Sequence, residues 1–322
     1  IKQLEYHFGV PLRRYVVKND NMSAAGVPEI VKTDEDVDKI CNTVLSATAL
    51  QNYLACPAKF YYGTVMKLKA DDEVSESLDY GMFGNVYHDT MRAIYTSESA
   101  MSPDFFFDRE GINEEALEGR FDRVSREYIK SWLNRKNDIK KKVKSLIINQ
   151  LKSIDVSGRN LVVADVIVKY VLKTLQRDLE LLEEEGLDSF EVLGREKPVY
   201  GSFHGQRFKG FIDRIDSFRS GQTRIVDYKT GKVLDDDEDI HDGNAENIAD
   251  KIFSPEVSDR PKIALQFFIY DMLLKNYDEG KSGEICNSVY STAKLFREKP
   301  KTVPLNEVFY HAVEERLKGL LD

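Results

Sequence analysis

The chain shows no sustained hydrophobic periodicity over its first forty-odd residues. Asn19-Asp20-Asn21 and Ala24-Ala25-Gly26-Val27-Pro28 signal turns there, and residues 1–45 read as a lead-in segment. From residue 46 the pattern becomes helical. Ser46 is placed to cap a helix whose Leu50, Tyr53 and Leu54 fall on one stripe, with Pro57 perturbing the next turn. Phe83, Val86, Tyr87, Met91, Ile94 and Tyr95 predict a second helix from Met82 to about Ser97, with His88 inside it. Residues from about 104 to 186 predict an almost wholly helical region, closing on Leu161 to Glu185 with Gly186 as the C′ residue. Then the pattern changes. Phe190 to Phe203, Gln206 to Phe218 and Thr223 to Lys229 are β-prone runs separated by turn signals at Gly205 and Ser220-Gly221, so they predict antiparallel neighbours. After an acidic loop, Pro261 to Tyr277 predicts a helix, Ile285 to Phe296 a strand and Leu305 to Leu320 a last amphipathic helix. The order predicts an α/β domain over residues 46–322, a mixed central sheet flanked by helices, with a large helical insertion at about 100–186.

Composition narrows the class. Of 322 residues, 42% are apolar and 31% charged, enough for a full core under an ionic surface. No run approaches the roughly 18 apolar residues of a membrane helix, and no signal peptide is visible. Cys41, Cys56 and Cys286, widely spaced and odd in number, form neither a disulfide framework nor zinc knuckles, which points to a reducing, cytoplasmic setting. The chain begins at Ile1, which suggests a piece of a longer protein. The formal net charge of −9 argues against a nucleic-acid binder, but the distribution is uneven. Lys130 to Lys152 holds eight bases against one acid, and Asp235 to Asp250 holds eight acids and no Lys or Arg. Either run taken alone reads most simply as a solvated face.

The chemistry concentrates in Gly210-Phe211-Ile212-Asp213-Arg214-Ile215-Asp216 and Ile225-Val226-Asp227-Tyr228-Lys229-Thr230-Gly231. Strand alternation puts Asp213 on a face with Phe211 and Ile215, and Asp227 and Lys229 on a face with Ile225. Two neighbouring carboxylates on apolar faces need a proton, a counter-charge or a metal. A cation bridging Asp213 and Asp227 would meet the need, and such oxygen-rich ligands suit Mg²⁺ or Mn²⁺. Lys229 would stand beside it, able to orient a water or offset transition-state charge. A single Asp-x-Lys is usually an exposed ion pair.

Gly84-x-x-x-His88, Glu196, Gly210-x-x-Asp213, Asp227-Tyr228-Lys229-Thr230-Gly231 and Gln266-x-x-x-Tyr270, in that order, resemble the RecB-like branch of the PD-(D/E)XK nucleases. Ser46-Ala47 through Cys56-Pro57 and Phe60-Tyr61-Tyr62 resemble the start of the nuclease domains at the C-termini of AddB-type helicase–nuclease subunits. The resemblance implies a PD-(D/E)XK restriction-endonuclease-like core. In it His88, Asp213, Asp227 and the Tyr228 carbonyl bind Mg²⁺ or Mn²⁺, and Lys229 is catalytic. It also implies an acid near the metal at Glu196, where Arg195 and Lys197 leave a surface ion pair as the other reading. Gln266 and Tyr270 would contact substrate or brace the site. Many AddB-type domains carry an iron–sulfur cluster, but the three closely spaced cysteines it needs are absent, so none is expected and Cys56 should be a small buried residue. Gly280-Lys281-Ser282 mimics the end of a P-loop, but Lys275 occupies the place of its first glycine and no motor is encoded.

The implied activity is metal-dependent hydrolysis of DNA, by an exonuclease on ends or single strands, in recombination or repair alongside a helicase. Lys140, Lys141 and Lys144 would track phosphates. The competing reading is a nuclease-fold scaffold or DNA-binding module without turnover. The complete Asp213, Asp227 and Lys229 weigh against it.

Overall fold

The computed structural model describes residues 32–68, 77–96, 122–219, 222–257, 259–277 and 284–322. Most of the lead-in segment, the first part of the expected helical insertion, the Ser220-Gly221 turn and Gly280-Lys281-Ser282 lie outside the described residues. The chain divides into a unit ending at Asp38 and a body of Lys39–Asp322. A helix not foreseen in the lead-in is α1 (Asp34–Asn42). Asp36 Oδ2 accepts from the Thr33 amide at 3.0 Å and hydroxyl at 2.8 Å, which fixes its first turn.

In the body, Ser46 caps α2 (Ala47–Ala55) by accepting from the Ala49 amide at 3.2 Å. Pro57 opens α3 (Pro57–Phe60), which continues as one π-turn over Tyr61–Val65. Cys56, at the joint between these helices, is exposed rather than buried, because its extended backbone turns the chain at the surface. Asp79 caps α4 (Tyr80–Ile94) through the Met82 amide at 2.7 Å. A short strand, β1 (Asp122–Ser125), then interrupts the region expected to be helical. Three helices follow: α5 (Arg126–Asn134), α6 (Lys136–Leu151) and α7 (Arg159–Glu184). Gly186 ends α7 at φ +64°, a conformation that costs glycine least.

The expected hairpin is β2 (Ser189–Phe203) and β3 (Gln206–Arg219), turned through His204 and Gly205, both at positive φ, as a tight two-residue hairpin turn requires. β4 (Gln222–Lys229), α8 (Ala245–Phe253) and α9 (Lys262–Tyr277) follow. β5 (Glu284–Ser291) stops five residues before Phe296, and a turn leads to β6 (Lys301–Val303) and α10 (Glu307–Leu321). The sheet runs β1-β2-β3-β4-β5-β6. Among the six described strands only the β4–β5 pair is parallel, so the sheet is mixed.

Each face of the sheet carries its own core. On one side α2, α8, α9 and α10 bury Leu50, Ile248, Phe267 and Phe309 against Ile212, Ile215 and Ile225. On the other, α4 to α7 bury Tyr87, Trp132, Ile147 and Leu175 against Phe190, Val226 and Tyr290. Among the described residues no helix is long and apolar enough to cross a membrane.

Candidate active site and metal centre

The β3–β4 ladder holds register down to Arg214↔Val226 and ends one position short of Asp213 and Asp227. The strict alternation expected at Asp213 breaks at this point. Ile212 and Ile215, three residues apart, enter the same core, while Phe211 is 52% exposed. Asp213 therefore shares no apolar face with Phe211 and Ile215. Its Oδ2 accepts from the Tyr228 amide at 2.7 Å, so the carboxylate takes a hydrogen bond the ladder would otherwise have claimed.

Glu196 stands on β2 between the pairs Arg195↔Arg214 and Lys197↔Ile212, opposite Asp213. Its φ of +44° is unfavourable for a residue with a Cβ, and backbone held there by its surroundings is typical of functional positions. Arg195 is engaged by Asp122 and the Tyr95 carbonyl, which leaves Glu196 to face His88.

His88 reaches these acids from α4. One turn earlier, a Cβ on Gly84 would lie 3.1 Å from Thr230 Oγ1, so the missing side chain permits the close approach of α4 to the end of β4. Nδ1 lies 3.4 Å from Asp213 Oδ1 and 3.6 Å from Glu196 Oε1. Nε2 lies 3.0 Å from the Tyr228 carbonyl. A carbonyl only accepts, so Nε2 carries the hydrogen and Nδ1 is turned toward the acids. A backbone carbonyl fixing the far nitrogen in this way is the usual support of a metal-binding histidine.

On the opposite side of β4, Asp227, Lys229 and Gln266 form a closed triangle. Lys229 Nζ lies 2.7 Å from Asp227 Oδ2 and donates to Gln266 Oε1 at 2.9 Å. Gln266 Nε2 donates to Asp227 Oδ1 at 2.9 Å and to the Tyr270 hydroxyl at 2.6 Å, and that hydroxyl donates to the Phe211 carbonyl at 2.5 Å. Gly210 makes room for the ring, since a Cβ there would fall 2.7 Å from Tyr270 Cε1.

Charge at the site is unbalanced. Three carboxylates (Glu196, Asp213 and Asp227) face one ammonium, Lys229. Burial and the nearby Asp213 push Asp227 up to about 6 against the pull of Lys229. Burial works against ionised Asp213 as well, but His88, Lys229 and the Tyr228 amide hold it below the usual carboxylate range. Burial should make His88 less basic, yet Asp213 and Glu196 outweigh it and raise its pKa to about 10. Lys229 is likewise held above its ordinary value by Asp227 and Asp213 despite burial. The histidine proton thus occupies a place where the surroundings demand positive charge.

A hard divalent cation fits that demand. His88, Glu196 and Asp213 each offer a ligand atom within 4.8 Å of the others, whereas neighbouring ligands on one such ion sit about 3 Å apart. Asp227 is not part of this group. Its buried Oδ2 lacks a well-directed hydrogen bond even with Lys229 beside it, and so keeps acceptor capacity. Tyr228 supplies its carbonyl to His88.

The basic residues sit elsewhere. Lys140, Lys141 and Lys144 lie on α6, which packs against α4 and α7. Lys140 pairs with Asp165 at 2.6 Å, Lys141 is exposed and Lys144 half-buried, while Lys142 of the same run is buried.

Two supporting groups escaped the sequence reading. One is the buried set Asp178, Arg214, Asp216 and Arg224, directly behind Asp213. Asp178 occupies the apolar stripe Val171, Leu175, Leu182 of α7, and an acid on such a stripe was the available signal. The other is Asp237, hidden within a run of five acids that reads as solvated loop.

A comparison with curated proteins gives no match. The profile of the PD-(D/E)XK nuclease superfamily matches residues 44–318, a span that takes in the sheet and every residue of the site. With that match over most of its length, the chain belongs to the PD-(D/E)XK nuclease superfamily.

Proposed function

We propose that the chain is a Mg²⁺- or Mn²⁺-dependent deoxyribonuclease, hydrolysing phosphodiester bonds from DNA ends or on single strands, in recombination or repair and alongside a helicase. The observation that carries this reading is the convergence of His88, Glu196 and Asp213 beside the Asp227–Lys229–Gln266 triangle. A surplus of carboxylates against a locked ammonium suits a cation-assisted attack on a phosphate.

His88, Glu196 and Asp213 would hold the ion, and Asp227, outside that group, would stay paired with Lys229. When bound, a divalent cation supplies Lewis acidity toward a phosphate oxygen and a water acidic enough to attack. Lys229 has three donors, of which Gln266 takes one, while Asp227 lies beside the ammonium as its ion-pair partner. A remaining donor can hold the attacking water or a non-bridging oxygen in place. Gln266 fixes both Asp227 and Lys229, and Tyr270 fixes Gln266 against β3, so little reorganisation remains at the moment of reaction. Lys140, Lys141 and Lys144 provide sequence-independent phosphate contacts away from the acids.

The test is digestion of end-labelled linear DNA with Mg²⁺ or Mn²⁺ by wild type, Asp227→Ala and Lys229→Ala. Each substitution should lower kcat on the order of 10²- to 10³-fold. Equal digestion by all three proteins would assign the activity elsewhere. Circular single strands cut as fast as linear ones would refute the preference for ends.

A further inference from the structure

The structure assigns a positioning role to Asp237: we propose that its carboxylate, reaching across from the loop after β4, sets the height and rotation of α9 and thereby places Gln266 between Asp227 and Lys229. The assignment rests on the reading of that triangle as part of a nuclease site and adds a residue outside every motif.

The argument begins at the start of α9. The first amides of a helix have no partner within it and are normally met by an N-cap side chain. The residue before Lys262 is Pro261, which has no side-chain acceptor. Asp237 fills that place from 26 residues away in the chain, its Oδ1 accepting from the amides of Ile263 at 2.9 Å and Ala264 at 3.0 Å. Its Oδ2 takes the Leu234 amide at 3.4 Å, so the carboxylate ties the single 3₁₀ turn Asp235–Asp237 to the helix. Asp237 is 2% exposed, in contrast to the solvated face its acidic neighbours suggest. A carboxylate here also complements the positive end of the helix.

Gln266 opens the second turn of α9, two residues beyond Ala264. Its amide must meet three groups at 2.6–2.9 Å: the Lys229 ammonium, the Asp227 carboxylate and the Tyr270 hydroxyl. A small axial slip of α9 therefore breaks the triangle before it disturbs the core. The group His88, Glu196 and Asp213 stands on α4, β2 and β3, and α9 supplies none of its ligand atoms. Loss of the cap thus separates positioning of Lys229 from metal binding.

The experiment compares wild type, Asp237→Asn, Asp237→Ser, Asp237→Ala and, as a matched cap deletion far from the site, Asn306→Ala, which removes the acceptor for the Phe309 amide at the start of α10. DNA cleavage with Mn²⁺, Mn²⁺ affinity, folding by circular dichroism and amide exchange at Ile263 and Ala264 are measured on each. Asp237→Ala should lower kcat about 10- to 100-fold with KM nearly unchanged, since a displacement of about 1 Å costs on that order. Its Mn²⁺ affinity should match wild type, and exchange at Ile263 and Ala264 should accelerate. Asp237→Asn keeps Oδ1 and should stay within about threefold of wild-type kcat. Asp237→Ser, with a shorter stem, should fall between them and carries the test if the alanine variant does not fold. Asn306→Ala should lose comparable stability while keeping kcat. A folded Asp237→Ala with wild-type kcat, or an Asn306→Ala with the same loss of kcat, would overturn the assignment. A wild type without metal-dependent cleavage would instead sink the nuclease reading beneath it.

Discussion

Two clusters of acids and bases share this sheet, and along β3 they are separated by one peptide bond, with Asp213 in one and Arg214 in the other. Behind the site, Arg214 meets Asp178 through two bonds at 2.9 and 3.1 Å and also donates to the Tyr228 hydroxyl at 2.8 Å. Arg224 meets Asp216 at 2.5 Å, and the Tyr95 and Tyr290 hydroxyls donate to Asp178. Two guanidiniums balance two carboxylates, and all four are buried. At the site three carboxylates face one ammonium, and the histidine between them is drawn toward protonation. A balanced, fully buried set of charges is structural. An open set with surplus negative charge is arranged for a positive ligand that the chain does not itself supply.

The difference predicts unequal consequences of removing an acid. Asp178→Ala leaves two buried guanidiniums with one carboxylate and should cost about 3–5 kcal/mol in urea denaturation. Asp213→Asn gives up the attraction of His88 and Lys229 but keeps an acceptor for the Tyr228 amide and relieves repulsion with Asp227, so in EDTA it should cost clearly less than Asp178→Ala while cleavage falls on the order of 10³-fold. Were Asp213→Asn as destabilised as Asp178→Ala, the two clusters would not differ in kind.

The pH dependence sharpens the same contrast in metal-free protein. His88, raised from 6.5 to about 10, contributes stability that is full below about 6.5 and is lost as pH rises toward 10. Asp227, raised from 3.8 to about 6 chiefly by burial, adds a loss over that lower interval as pH rises. Asp178 runs the other way: although burial opposes its ionisation, Arg214 and Arg224 hold it low, so its contribution is present above 3.8 and fades as pH falls through its lowered value. Urea midpoints in EDTA should therefore decline between pH 7 and 10 for wild type and more weakly for His88→Ala. Identical alkaline slopes would remove His88 from the charged cluster.

How much of this was legible follows from what each feature costs to encode. β2, β3 and β4 carry long β-prone runs, and Gly186 and Gly205 mark turns that need positive φ, so the centre of the sheet can be read directly. β1 has Val124 as its one buried apolar side chain, and β6 has only Val303; edge strands that short leave no periodicity to detect. Spacing placed His88, Asp213, Asp227, Lys229, Gln266 and Tyr270 on their elements. It could not show that the strand breaks alternation at Asp213, or that Glu196 is held at positive φ opposite it, because both depend on tertiary register. Asp237 was invisible for another reason: its burial within a run of five acids is decided by a helix that begins 25 residues later.

Titration calorimetry with Mn²⁺ tests the charge-surplus account most directly. Wild type should bind a cation with release of a proton from His88, and Asp213→Asn should lose that binding while remaining folded. Equal binding and proton release by the two proteins would contradict the claim that His88, Glu196 and Asp213 together form the cation site.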